Sequence, residues 1–68
     1  MQVRTIAGVE FVAIRKTAPV PHWRYGVFGR EGPQGYDTRP AMWDELERAA
    51  RLRGEERWRQ DWQRFADS

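Results

Sequence analysis

The chain has 68 residues with no cysteine, and its 12 Lys and Arg against 10 Asp and Glu give a net charge of +2. This length predicts one small domain, residues 1–68, with a marginal core, and the lack of cysteine excludes disulfides and thiolate metal sites and fits the reducing cytoplasm. No segment has the apolar run of a signal peptide or a membrane span, so we expect a cytoplasmic protein without a membrane partner.

Residues 1–37 are expected to form a basic β-meander. Apolar and β-branched residues predict strands at Val3 to Ile6 and Val9 to Lys16, with Ala7-Gly8 as a tight turn between them. The connector Thr17 to Pro21 is bounded by proline and cannot continue the pairing. A third strand, rich in aromatic residues, is predicted at His22 to Phe28.

The glycines of residues 29–35 predict a loop, after which we expect Tyr36-Asp37 to pair briefly with the sheet. The second strand is apolar on both faces, so the face that a helix covers depends on the strand register. We predict that the covered face carries five apolar side chains, Val12, Ile14, Trp23, Tyr25 and Val27. The opposite face would then carry Arg4, Phe11, Arg15, Arg24 and Phe28.

Residues 38–68 predict the helical part of the domain. The apolar spacing from Met42 to Ala50 is typical of one helical face, with Thr38 or Asp37 as its cap and Pro40 in its first turn. The stripe that follows Gly54 is rotated by roughly 90° from the first, which predicts a break or a sharp kink at that glycine. The predicted fold is therefore α+β, a three-stranded antiparallel sheet (β-β-β-α) packed on a C-terminal helix that is kinked or broken at Gly54.

The sequence has few side chains that can act as catalytic nucleophiles or bases, and we expect a protein that is not an enzyme. The only serine is Ser68 at the end of the chain, the only histidine is His22, and the three threonines have no base beside them. One histidine does not make a zinc site, and the acidic residues are not spaced as a metal cage. We therefore expect no catalytic residue, no metal and no cofactor.

The first functional hypothesis is a protein-binding module that docks on a protein or nucleoprotein partner. Trp, Tyr and Arg dominate the energetics of protein interfaces, and a core this small is not expected to bury all four tryptophans. The C-terminal helix carries such a face, with Arg57, Trp58, Arg59, Trp62 and Phe65. Two other uses of these aromatic side chains stay open, which are closing the domain's own core and forming a homodimer through the C-terminal helix.

The second hypothesis is binding of DNA or RNA by the sheet. Five basic residues against one acidic residue in residues 1–30 supply positive charge, and two phenylalanines supply stacking surface. The candidate residues are Arg4, Phe11, Arg15, Lys16, Arg24, Phe28 and Arg30. The more acidic second half of the chain argues against a dedicated nucleic-acid binder.

Two likenesses accompany these hypotheses. A three-stranded sheet backed by a helix, over residues 3–53, resembles in architecture the small N-terminal domains of phage integrases, and this resemblance implies a sheet that lies in the major groove of DNA. By size and composition, the chain is similar to phage and mobile-element inhibitors of host machinery such as anti-CRISPR proteins. That analogy implies docking on a host protein or nucleoprotein complex.

Overall fold

A computed structural model describes residues 2–68 as a four-stranded antiparallel sheet followed by two helices that pack against it. The strands are β1 (Val3–Ile6), β2 (Val9–Lys16), β3 (His22–Val27) and β4 (Arg30–Glu31), and they lie in the order β1-β2-β3-β4. The helices are α1 (Arg39–Arg53) and α2 (Glu55–Asp67). The predicted α+β class is confirmed, with one strand more than expected.

Two similar turns set the strand pairing. Ala7 and Gly8 have φ of 48° and 83°, and Phe28 and Gly29 have φ of 53° and 72°. Positive φ at both central residues is typical of type I′ hairpin turns, whose twist matches that of the strands. The first turn confirms the predicted hairpin. The second returns the chain along β3, so Arg30–Glu31 is paired with Gly26 and Val27, and the prediction of a loop over residues 29–35 is wrong at these two positions.

The helical part begins and divides as the sequence predicts. Thr38 is the cap of α1, and its Oγ1 accepts a hydrogen bond of 3.2 Å from the Ala41 amide. Gly54 separates the two helices with φ 87° and ψ 152°, a conformation that side chains rarely allow. The favoured prediction of a break at Gly54 is therefore confirmed. Tyr36 also pairs with Trp23 through an isolated bridge, as expected for that segment.

The predicted face assignment is wrong for β2 and for Arg4 of β1, which pairs with Phe11. Residue pairs that face each other across strands share one side of the sheet, and the register pairs Ala13 with Tyr25 and Val12 with Gly26. The odd-numbered residues of β2 therefore lie on the same face as Tyr25 and Val27. Phe11 is fully buried there, while Val12 and Ile14 lie on the other face.

Both helices cover the same face of the sheet. The core contains side chains from β1, β2, β3, α1 and α2, with ten members: Ile6, Val9, Phe11, Tyr25, Val27, Met42, Trp43, Leu46, Ala50 and Trp58. The aromatic stripe of the predicted binding face on α2 is turned inward, because the break at Gly54 directs it back onto Phe11 and Tyr25. Within residues 2–68, neither helix is long and apolar enough to cross a membrane.

Candidate binding surfaces

The C-terminal aromatic residues close the protein's own core. Trp58 is 2% exposed, and its Nε1 donates a hydrogen bond of 2.9 Å to the carbonyl oxygen of Ile6. Trp62 is half-buried, and its ring lies 5.3 Å from that of Phe11 and 5.3 Å from that of Phe65, centroid to centroid. Edge-to-face packing of this kind stabilises a core beyond the area it buries. The alternative that the sequence left open for these rings, a role in the core, is thus the one observed.

The basic members of that predicted protein-binding face remain at the surface. Arg57 and Arg53 both pair with Asp61, with Arg57 Nε 3.1 Å from Asp61 Oδ1. Desolvation opposes the ionised carboxylate, but hydrogen bonds from Arg53 and Arg57 outweigh it and lower the pKa of Asp61. Arg59 lies against the turn at Gly8, which it approaches through its side-chain methylenes. Arg57 and Arg59 are thus exposed on α2, whereas Trp58 between them is buried, so the three do not form one surface patch.

The seven residues predicted to bind nucleic acid are divided between two faces. Phe11 is fully buried and has no ring surface for a base to stack on. Arg4 contacts α1, with Nη1 2.9 Å from Glu47 Oε2 and the guanidinium 5.0 Å from the Trp43 ring. Arg15 lies over Trp23 at 5.4 Å. Arg30 lies over Phe65 at 5.3 Å and donates a hydrogen bond of 2.6 Å to the Phe65 carbonyl oxygen.

Only Lys16 and Arg24 of this set lie on the uncovered side of the sheet, with Phe28 at its edge. Lys16 Nζ lies 3.1 Å from Glu31 Oε2, and Arg24 Nε lies 3.5 Å from Glu31 Oε1. Glu31 therefore neutralises part of the positive charge with which Lys16 and Arg24 would bind the phosphates of a nucleic acid. Phe28 is 48% exposed in the β3–β4 turn. The predicted combination of five basic residues and two stacking rings is not assembled on one surface.

The uncovered side of the sheet is the first of two surfaces that the sequence reasoning missed, and we call it the open face. It contains the odd-numbered residues of β1 and the even-numbered residues of β2 and β3, with Glu31 from β4; its members are Val3, Thr5, Glu10, Val12, Ile14, Lys16, His22, Arg24, Gly26 and Glu31. Val12, Ile14, Gly26 and Phe28 line a shallow depression of about 800 Å³. The polar margin of the open face includes His22, whose Nδ1 donates a hydrogen bond of 2.7 Å to the Val20 carbonyl oxygen.

The length of the β2–β3 connector was the signal that locates the open face. Five residues, Thr17 to Pro21, separate the two strands and leave Lys16 opposite His22. When an odd number of residues connects two paired strands, the even-numbered residues of both strands lie on one face of the sheet and the odd-numbered residues on the other. Applied to the sequence, that parity groups Phe11 with Tyr25 and groups Ile14 with Arg24.

The second missed surface is a groove between α1 and α2, which we call the aromatic groove. It has a volume of about 390 Å³ and reaches down to the sheet at Tyr25. Half-buried Tyr36, Trp62 and Phe65 also line it, together with the Glu45 side chain of α1. Burial raises the pKa of Tyr25 to about 12, and Tyr36 and Glu45 add to the shift. The Tyr25 hydroxyl is therefore protonated at neutral pH.

Neither surface has the donors of a metal centre. Within residues 2–68, no three His, Asp or Glu side chains are grouped closely enough to hold a metal ion. Comparisons with protein-family models, with curated proteins and with solved structures found no match to this chain. The function of this chain is therefore inferred from the geometry and charge of the two surfaces.

Proposed function

We propose that this chain is a non-enzymatic protein-binding module that docks on its partner through the open face. The observation that carries the proposal is the one-sided cover of the sheet. Both helices pack on the face of Phe11 and Tyr25, while Val12 and Ile14 stay outside the core on the other face. Phe28 and Val3, at its margins, are 48% and 46% exposed. An apolar centre with a polar margin is the usual composition of a protein interface.

The charge of this face favours a protein over a nucleic acid. Lys16 and Arg24 are balanced by Glu31 and Glu10, so the face has no net positive charge. Nucleic-acid binding without sequence contacts depends on excess Lys and Arg that neutralise phosphates. The centre formed by Val12 and Ile14 is aliphatic, and of the two predicted stacking rings only Phe28, at the edge, is exposed. A partner protein with an apolar patch and mixed charges fits this surface better.

A module of this kind acts by occupying a surface of its partner. It would block that surface in an inhibitor, as in the analogy to mobile-element inhibitors, or link two proteins in an adaptor. The partner is a protein, or the protein component of a nucleoprotein complex. The mechanism needs no chemical step, since binding by itself excludes competing ligands from the covered surface.

A second copy of this chain is one partner protein whose surface complements the open face. Along β2, the open-face side chains run Glu10, Val12, Ile14, Lys16, which is acidic at one end, apolar in the middle and basic at the other. Two such strips stacked in opposite directions place each acidic end on a basic end and apolar centre on apolar centre. Two-fold interfaces require this kind of self-complementary surface.

The experiment compares two lysine substitutions that differ in their location. Ile14→Lys puts a charge at the centre of the open face, whereas Leu52→Lys changes an 81% exposed side chain on α1. Immobilised wild-type protein and both variants are used to capture proteins from a cell extract treated with nuclease. We expect a specific partner that the wild type and Leu52→Lys retain and that Ile14→Lys loses by at least about tenfold, as for a charge in an interface centre.

Three controls decide the interpretation. Circular dichroism must show that both variants melt close to the wild type, because both positions lie outside the core. Equal capture by Ile14→Lys and wild type would contradict docking through the open face. Capture that requires intact nucleic acid, with salt-sensitive gel shifts, would favour the nucleic-acid hypothesis instead.

A further inference from the structure

The Tyr25 hydroxyl lies at the floor of the aromatic groove without a partner from residues 2–68. Tyr25 as a whole is 4% exposed, and it lines the groove. The backbone of Gly32 packs against the ring of Tyr25, and a methyl group at Gly32 would collide with ring atoms Cε1 and Cζ. Because no buried side-chain oxygen or nitrogen within residues 2–68 is left unpaired, this hydroxyl is accessible from the groove. A ligand in the groove can therefore form a hydrogen bond with it.

Only part of the aromatic surface of the groove is covered by a cation from this chain. Four arginines lie over aromatic rings at 5.0 to 5.4 Å, on Trp43, Trp23 and Phe65, and the last of these rings lines the groove. Tyr36 and Trp62, both half-buried in the groove, carry no such arginine among the described residues. Aromatic rings attract cations through their negative faces, and the attraction grows as water is excluded. The groove thus offers aromatic surface that the chain's own arginines leave vacant.

The charge of the groove has the sign that a cation requires. Glu45 lines the groove and has no ion-pair partner within residues 2–68. Its negative charge acts on both phenols, since it helps to raise the pKa of Tyr25 and of Tyr36. The groove also contains Arg53, but that side chain is paired with Asp61 and stands eight residues beyond Glu45 on α1, about 12 Å along the helix axis.

We propose that the aromatic groove binds an organic cation of the guanidinium or alkylammonium class, held by Glu45, by the Tyr25 hydroxyl and by the rings of Tyr36 and Trp62. The volume of about 390 Å³ is enough for one such group and is within the range of small-ligand pockets. The Glu45 carboxylate supplies the countercharge, and the Tyr25 oxygen accepts a hydrogen bond from the cation. This site is separate from the open face and does not depend on it.

The same chemistry has two sources, a free small molecule or a basic side chain of a bound peptide. Binding is followed by nuclear magnetic resonance, through the indole Nε1–H signal of Trp62 and the backbone amides around Tyr36. Methylguanidinium is compared with methylurea, which has a similar shape and no charge. A short capped peptide with one arginine is compared with the same peptide carrying neutral citrulline.

We expect methylguanidinium to cause saturable shifts that are confined to the groove, and methylurea to cause none. Tighter binding of the arginine peptide would assign the site to a partner's side chain, whereas binding of the free ion alone would assign it to a small molecule. Glu45→Gln should weaken binding about tenfold because it removes the charge. Tyr25→Phe should weaken it severalfold, while Asp44→Asn on the neighbouring helix position should leave it unchanged.

Any one of three results would overturn the proposal. The first is equal chemical-shift changes with methylurea, and the second is unchanged affinity in Glu45→Gln. The third is binding that does not saturate by about 100 mM methylguanidinium, which would be too weak for a specific site. Both test substitutions preserve side-chain size, and thermal melts of each variant verify that it is folded. Loss of partner capture by Ile14→Lys has no bearing on these outcomes, since Ile14 lies on the other side of the sheet.

Discussion

Tyr25 is the residue at which packing and chemistry meet most closely in this protein. Its ring is in edge-to-face contact with Phe11 and Trp62 at 5.7 Å each, between centroids. Gly32 allows the chain after β4 to cross the same ring, and its amide donates a hydrogen bond of 2.7 Å to the Tyr25 carbonyl oxygen. The ring is a core element, whereas the hydroxyl at its end contributes no bond to the fold. Phenylalanine should therefore be tolerated at this position.

The raised pKa of Tyr25 predicts a loss of stability in alkali. The folded protein holds this proton up to a pKa of about 12, compared with 10.0 in the unfolded chain. The contribution is fully present below the unfolded value, and it decreases as pH rises from there through the folded pKa. The loss should approach the order of 2 kcal/mol by the upper end of that window.

Urea unfolding of wild type and Tyr25→Phe measures this contribution. At about pH 9 the two proteins should have similar free energies of unfolding, and by about pH 11.5 the wild type should have lost more. The two proteins share every other titratable group, so the difference isolates Tyr25. Parallel pH profiles would show that the Tyr25 hydroxyl ionises without a penalty from burial.

At the scale of elements, α2 is held to the sheet mainly by Trp58. The indole packs against both Phe11 and Trp62, and its Nε1–H is bonded to β1 through the Ile6 carbonyl oxygen. Removing a buried tryptophan costs about 3–5 kcal/mol, which is comparable to the whole stability of a small domain. The fold itself, more than an interface, depends on this residue.

Trp58→Ala should unfold the protein or lower its melting temperature strongly. Trp58→Phe keeps an aromatic ring but leaves the Ile6 carbonyl oxygen without its partner, and should cost on the order of 1–3 kcal/mol. Leu52→Ala, at an exposed position on α1, should have little effect. Thermal unfolding followed by circular dichroism ranks the three variants. A stable Trp58→Ala protein that fails only in partner binding would instead restore the interface role predicted from the sequence.

Local signals in the sequence predicted most of the elements. The Thr38 cap, the glycine break at Gly54 and the Ala7-Gly8 turn each follow from the backbone chemistry of a few neighbouring residues. The β4 strand was missed because a two-residue strand has no period of its own. It exists because Phe28 adopts positive φ beside Gly29, a conformation uncommon for a phenylalanine.

The candidate site was harder to predict because it depends on contacts between distant elements. Phe11 and Ile14 are both large apolar residues on one strand, and alternation alone does not say which of them faces a helix. Trp58 and Trp62 have the composition of an interface, but a break at Gly54 redirects them onto the sheet. The aromatic groove joins Tyr25 on β3 to Glu45 on α1 and Trp62 on α2, a combination that no single segment shows.

The whole molecule is a sheet with one protected and one unprotected face. Its 12 basic residues are largely committed to internal contacts, with Arg4, Arg15, Arg30 and Arg39 over aromatic rings. On the open face, in contrast, an acidic and a basic side chain lie at opposite ends of one strand, β2. Glu10 and Lys16 occupy the two ends of that strip.

If the open face binds a second copy, charge reversal at the two ends of β2 has a specific outcome. Glu10→Lys makes both ends of the strip basic, and Lys16→Glu makes both ends acidic. Each variant alone should associate more weakly than the wild type, because like charges meet in the antiparallel arrangement. A mixture of the two should associate again, since every basic end then meets an acidic one. The double variant, with both reversals in one chain, should also recover.

Light scattering after gel filtration, over a range of concentrations, measures the mass of each species. Glu56→Lys mixed with Arg51→Glu serves as the control, because it places the same charge changes on the helices and should match the wild type. Wild-type protein that stays monomeric at every concentration would exclude the second copy and leave a different protein as the occupant of the open face. Association that ignores the signs at positions 10 and 16 would place the contact elsewhere on the molecule. Recovery in the mixture alone among the single-reversal samples fixes the surface. Association of the wild type and of the double variant fixes its antiparallel direction, because in a parallel arrangement of two like chains each charge at position 10 or 16 would meet its own sign.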